Sequence, residues 1–121
     1  MIFEIPLNVR DSAKSGLYLK KQGYEGGTAT GIKRANQLAK DKNISINDLR
    51  SMRNWFARHV ITSYPSFEFW KDMDYKKEFI RPGTVAWLLW GGDDAFNWVN
   101  KPEIINLLNQ EFGTNYKKIR K

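Results

Sequence analysis

The chain has 121 residues, with 20 Lys+Arg against 13 Asp+Glu, a formal net charge of +7 and a pI of about 9.7. That length makes one domain, 1–121, with room for a hydrophobic core and no need of covalent staples. Zero cysteines and a single histidine exclude a disulfide framework, a thiolate zinc site and a histidine dyad, and they fit a reducing compartment.

The start, MIFEIPLNVR, lacks the apolar run of a signal peptide. After Pro6 the pattern predicts a helix over residues 7–21, with Val9, Ala13, Gly16 and Leu17 on one side and Gly23 as its stop. Lys14, Lys20 and Lys21 fall on or near its exposed surface. The glycine turn Gly23–Gly27 leads into a second helix, about Thr28 to Lys40. Ile32, Ala35, Leu38 and Ala39 form its apolar stripe, with Lys33, Gln37 and Lys40 opposite. Asp41–Asn43 reads as a turn, and Ser45 with Asp48 three residues on reads as a capping box for a third helix over 46–60.

Tyr64-Pro65 reads as the break of that helix, followed by an irregular loop in which Phe67, Phe69, Trp70 and Tyr75 sit among charges. Pro82-Gly83-Thr84 then opens a helix through Val85-Ala-Trp-Leu-Leu-Trp90, which is apolar all round and belongs in the core. This stretch is too short to span a bilayer, so no membrane partner is expected and the cytoplasm is the default location. Gly91-Gly92 ends it, and Asp93 is expected to cap a short helix through Asn100, with Phe96 and Val99 inward and Trp98 covering an edge. Pro102 suits the first position of a last helix, buried along Ile104, Ile105, Leu108 and Phe112 and ended by Gly113. Residues 113–121 read as a basic, flexible tail. No segment alternates long enough to read as a strand. The expected fold is a compact all-α domain of five to six short helices, with a helix-turn-helix-like pair near the front.

Charge is segregated along the chain. Residues 1–60 carry 11 basic and 5 acidic side chains, residues 61–112 carry 5 and 8, and the tail adds four bases and no acid. Such a field attracts polyanions. On the third helix, Leu49, Met52, Trp55, Phe56 and Val60 share one arc, while Asn47, Arg50, Arg53, Asn54 and Arg58 share the opposite one. Solvated helix faces usually mix signs; this one has Asp48 at its start and no further acid before Val60. Forked cationic and amide side chains suit phosphates and base edges.

The expected site therefore comprises Asn47, Arg50, Arg53, Asn54 and Arg58, with Lys33, Arg34 and Lys40 from the preceding helix. Lys14, Lys20 and Lys21, and Lys117, Lys118 and Arg120 of the tail, are further phosphate contacts. Gly26-Gly-Thr-Ala-Thr-Gly31 offers Thr28, Thr30 and backbone amides to a phosphate, although it is neither a P-loop nor a dinucleotide fingerprint. Its plainer meaning is a tight turn that sets the angle between two helices. His59 suits packing better than catalysis, and Asp72, Asp74 and Lys76 only loosely mimic a nuclease metal site.

The blocks GGTATGIKRANQLA, MRNWFARH and VAWLLWGGDDAFNW resemble a small domain found in tailed-phage and related mobile-element proteins. The resemblance covers roughly residues 12–98 and implies a viral or prophage setting, with a host-cytoplasm or virion location, and no catalytic activity. This chain has Tyr64-Pro-Ser-Phe67 where a charged insert is typical of that group. The expectation is a non-enzymatic nucleic-acid-binding protein, DNA favoured over RNA, with no metal or cofactor. The alternative is a factor that binds a host or viral protein, as a virion component or an inhibitor, through the aromatic segment 64–75.

Overall fold

A computed structural model describes the backbone of residues 1–73 and 80–120 and the side chains of residues 1–61 and 80–120. In chain order the elements are β1 (Ile2–Glu4), α1 (Leu7–Lys21), α2 (Ala29–Lys40), β2 (Asn43–Ser45), α3 (Ile46–Met73), α4 (Pro82–Leu89), α5 (Gly92–Val99) and α6 (Pro102–Phe112). The fold is all-α, with six helices among the described residues.

The all-apolar helix α4 is the centre of the molecule, packed by α1 and α3 and also touched by α2 and α5. Val85, Trp87 and Leu89 lose all contact with solvent there. Trp87 lies 4.9 Å from Phe56 and 5.5 Å from Phe96 between ring centroids, and its indole N–H donates to Asp93 at 3.1 Å. Aromatic contacts of this kind add about 0.5–1.5 kcal/mol each beyond the area they bury.

Close approach to α4 explains the glycines before it. A Cβ on Gly16 of α1 would stand 2.7 Å from the Leu89 backbone nitrogen, so only glycine lets these helices meet. Gly26 has φ +134°, and a Cβ there would lie 2.3 Å from the Pro82 carbonyl oxygen. The glycine turn is thus wedged against the start of α4. Its next polar residue, Thr28, accepts from the Gly31 N–H and caps α2. Arg10 holds the other end of α2, donating to the Ala39 and Asp41 carbonyls.

Several boundaries differ from the sequence expectation. Two three-residue strands pair antiparallel, Ile2 opposite Ser45 and Glu4 opposite Asn43, which seats the buried Ile5 and Ile44. They are too short to show a two-residue period. Helix α3 runs on to Met73 instead of stopping at Tyr64-Pro65: proline forfeits one hydrogen bond, but its fixed φ is helical. Helix α5 starts at Gly92, after Gly91 in a left-handed conformation (φ +108°), and Asp93 serves Trp87 instead of capping it. Trp98 is buried, not an edge cover.

The front helix pair is also different from the expected one. Helix α2 packs on α1 and α4, whereas α3 packs on α4 and α5. Strand β2 intervenes, and the main packing of α2 is on α1, whereas that of α3 is on α4. The aromatic side chains of segment 64–75 and the carboxylates of Asp72 and Asp74 lie outside the described residues.

Candidate nucleic-acid interface

The predicted basic residues separate into groups once the helices are placed. Lys14 and Lys21 are exposed on α1, and Lys20 donates to the Tyr24 carbonyl at 3.2 Å. Helix α1 packs on α2, α4 and α5, and α3 on α4, α5 and β2, so the lysines and the arginines of α3 stand on helices without extensive mutual packing. Thr28 is exposed, and its Oγ accepts from the Gly31 N–H as the α2 cap.

On α2, Thr30, Lys33 and Lys40 are exposed, but Arg34 is drawn inward. Its guanidinium pairs with Asp48 at 2.9 Å, also bonds Gln37, and lies 5.3 Å from the Trp90 ring centroid. Trp90 stacks on Trp55 at 5.0 Å, and Trp55 on His59 at 4.4 Å, so a column of flat groups runs from α2 to α3. Burial together with the neighbouring Arg58 lowers the pKa of His59 at the end of that column.

Asp48 completes the capping box: its N–H donates to Ser45 Oγ at 3.1 Å, and its carboxylate accepts from Ser45, Gln37 and Arg34. Burial works to raise its pKa, but those hydrogen bonds and the Arg34 charge outweigh it and hold the carboxyl below its ordinary value. A cleft of about 450 Å³ is lined by Thr30, Lys33, Arg34, Gln37, Asp41 and Asp48. Its two acids cancel much of its positive charge, which makes it a poor anion site.

The α3 face follows a different course. Asn47, Arg50, Asn54 and Arg58 run down one stripe at helical spacing, with Arg53 beside Arg50. The segment after α6 lies over the middle of this stripe. Arg50 Nε donates to the Tyr116 hydroxyl at 3.1 Å, and its guanidinium carbon stands 4.4 Å from the Phe112 ring centroid. Arg53 sits 4.1 Å above the Tyr116 ring and donates to the Lys117 carbonyl at 3.3 Å and to Asn54 Oδ1 at 3.2 Å. Asn47 and Arg58 are exposed on either side.

The stretch expected to be a flexible tail is therefore held in place. Asn109 clasps it once: its Oδ1 accepts from the Tyr116 N–H at 2.7 Å, and its Nδ2 donates to the Tyr116 carbonyl at 3.0 Å. The buried Asn100 clasps it again, accepting from the Ile119 N–H at 2.8 Å and donating to the Ile119 carbonyl at 3.0 Å. Ile119 is 8% exposed and belongs to the core, while Lys117, Lys118 and Arg120 point outward. Lys118 and Arg120 border a second cleft of about 470 Å³ with Asn97 and Asn100. A side-chain amide that satisfies both the N–H and C=O of one residue imitates a strand partner, and local patterning gives no sign of it.

Electrostatically, the two arginine environments are opposites. Arg34 meets a carboxylate; Arg50 and Arg53 meet aromatic faces, a hydroxyl and a carbonyl, none of which cancels a charge. Burial nevertheless lowers the pKa of Arg53, opposed by the charge of Tyr116. Tyr116 responds in turn: the hydrogen bond from Arg50 leads a set of effects, including Asn54 and both guanidinium charges, that lowers its pKa against a smaller effect of burial. Tyr116, Phe112, Asn100 and Asn109 were absent from the predicted site. No His/Cys/Asp/Glu grouping suited to a metal ion occurs among the described residues, and no described helix is long and apolar enough to cross a membrane. Comparison with protein-family models, curated proteins and solved structures gave no match.

Proposed function

We propose that this protein binds nucleic acid without catalysing a reaction, through a basic face built from α3 and the C-terminal segment. The single observation that carries this reading is that Arg50 and Arg53 are oriented by neutral groups beside the outward-pointing Lys117 and Lys118, with their charge left for an external anion. Stacked, tethered guanidiniums lose little freedom on meeting a phosphate, which favours binding. Lys33 and Lys40 of α2 extend the positive field, whereas Arg34 serves the fold.

Duplex DNA is the favoured form. Unpaired RNA is held mainly by stacking bases on exposed rings. Among the described residues the one aromatic in the exposed apolar set is Tyr18, which lies on α1. The rings near the arginines are already covered by guanidiniums. The resemblance to mobile-element domains supports a phage setting, in the host cytoplasm or the virion.

A salt-titrated binding assay with a duplex of about 20 base pairs tests the reading. Removing both cations by Arg50→Ala with Arg53→Ala is expected to weaken binding and to flatten the logarithmic salt dependence by about two units, roughly one per lost phosphate contact. Helicity should be unchanged, since the arginines do not fill the core. An unaltered slope would exclude this face as the contact.

A further inference from the structure

The polar edges left over around Arg50 point to something more specific than a basic surface. Arg50 is fixed on three sides: its guanidinium carbon lies over the Phe112 ring, Tyr116 accepts a hydrogen bond from its Nε, and α3 anchors its stem. Its two terminal nitrogens have no hydrogen-bond partner among the described residues, although the residue is half-buried. The Tyr116 oxygen accepts from Arg50 and from the Asn54 amide, and no hydrogen bond donated by its own O–H occurs among the described residues. Two sets of donors therefore emerge side by side at the surface. Neither meets a carboxylate.

We propose that the terminal edge of Arg50 and the O–H of Tyr116 form a preformed receptor for one phosphodiester of a nucleic-acid backbone, the guanidinium bridging the non-bridging oxygens and the hydroxyl donating to one of them. This assignment rests on the nucleic-acid reading above and gives it a defined contact. The chemistry is that of an oxyanion held by charge-assisted bonds. A guanidinium matches two phosphate oxygens in a fixed fork, which a lysine ammonium does not reproduce. Tyr116 contributes twice, because it aims the fork through Nε and adds a donor of its own.

The hydroxyl also brings a pH dependence that a purely cationic site lacks. Ionised tyrosine cannot donate, and it places a negative charge beside the phosphate. The groups that face it are Arg50, Arg53 and Asn54 of α3; Asn109 of α6 holds its backbone, and Phe112 backs Arg50. The cations among them promote ionisation below the ordinary tyrosine range. Binding to the phosphodiester should accordingly weaken as alkaline pH deprotonates Tyr116.

The test compares wild type, Tyr116→Phe and Arg50→Lys for binding to one duplex of about 20 base pairs, across salt at pH 7 and across pH 7 to 9.5 at fixed salt. Tyr116→Phe should lose about 3- to 10-fold in affinity, the scale of one hydrogen bond, with its salt slope intact because no charge is removed. Arg50→Lys should lose a similar factor, also at unchanged slope, since charge is kept and the fork is lost. Wild type should lose more affinity toward pH 9.5 than Tyr116→Phe, the lysine and duplex contributions being common to both. If wild type binds with strong salt dependence while both variants match it and the pH curves run parallel, the receptor is overturned and the basic face stands. If wild type binds no duplex at moderate salt, the nucleic-acid reading itself fails. Should Tyr116→Phe lower the melting temperature, Arg50→Lys decides alone, since it leaves Tyr116 in place.

Discussion

Arg50 and Tyr116 are 66 positions apart in the chain and joined by a 3.1 Å hydrogen bond. Through that bond the C-terminal segment organises a side chain of α3. The basic front half and the basic end of the chain thus become two sides of one surface. The expected convergence was between the two front helices; the observed one is between α3 and the residues after Gly113.

Ionisation of Tyr116 gives a direct readout of this contact. The Arg50 hydrogen bond, then Asn54 and the two guanidinium charges, lower its pKa against the opposing effect of burial. An ultraviolet titration of tyrosinate absorbance should show an early phase from Tyr116, and Tyr116→Phe should remove it. Because the folded pKa is depressed, the associated stabilisation is fully present only above the ordinary tyrosine pKa and is lost as pH falls through the folded value. A variant whose titration curve still shows the early phase would place the perturbed tyrosine elsewhere.

The Asn100 clasp should be what holds the segment down. Asn100→Ala leaves the Ile119 N–H and C=O without their partners in a buried setting, at a cost of about 1–3 kcal/mol. Urea unfolding measures the loss, and amide exchange at Ile119 should accelerate while exchange in α4 does not. Undiminished protection at Ile119 would mean that its packing suffices.

Asp48 ties α2 to α3, and its contribution has a defined pH window. Its carboxyl is held below the ordinary value of 3.8 in spite of burial. The stabilisation is therefore present above the unfolded pKa and disappears as pH falls through the folded one. Asp48→Asn should cost about 1–2 kcal/mol near pH 7, where a charge-assisted bond to Arg34 is lost. The gap between the two proteins should narrow steadily below pH 4. A gap independent of pH would assign the loss to shape instead of charge.

Gly16→Ala tests the helix crossing at the centre of the fold. Alanine improves helix propensity by about 1 kcal/mol, but here its methyl would meet the Leu89 backbone nitrogen at 2.7 Å. Backbone cannot swing aside as a side-chain tip can, so overpacking should prevail and the net effect should be a destabilisation of about 1–3 kcal/mol. A raised melting temperature would show that α1 and α4 have slack between them.

Much of the fold is legible in local signals. Pro6 and Gly23 bracket α1, Thr28 caps α2, Pro82 opens α4, and Pro102 and Gly113 bracket α6. Ser45 and Asp48 form the capping box that their spacing implies. What escapes local reading is decided by partners far away in sequence. Arg34 lies with the exposed cations in a charge pattern, yet Trp90 and Asp48 draw it inward. The basic run at the chain end looks unstructured until Asn100 and Asn109 supply the hydrogen bonds that its backbone needs. Arg50 and Arg53 are legible as a face but not as a covered one, because Tyr116 reaches them from the other end of the chain.

The central claim is that a polyanion meets α3 and the C-terminal segment together, and amide chemical-shift mapping of the labelled protein titrated with duplex DNA tests it most directly. Shifts should concentrate at residues 47–58 and 116–120, with the Arg50 and Arg53 side-chain N–H signals among them, while residues 14–21 of α1 stay in place. Shifts centred on α1, or an unperturbed spectrum at low salt, would contradict it.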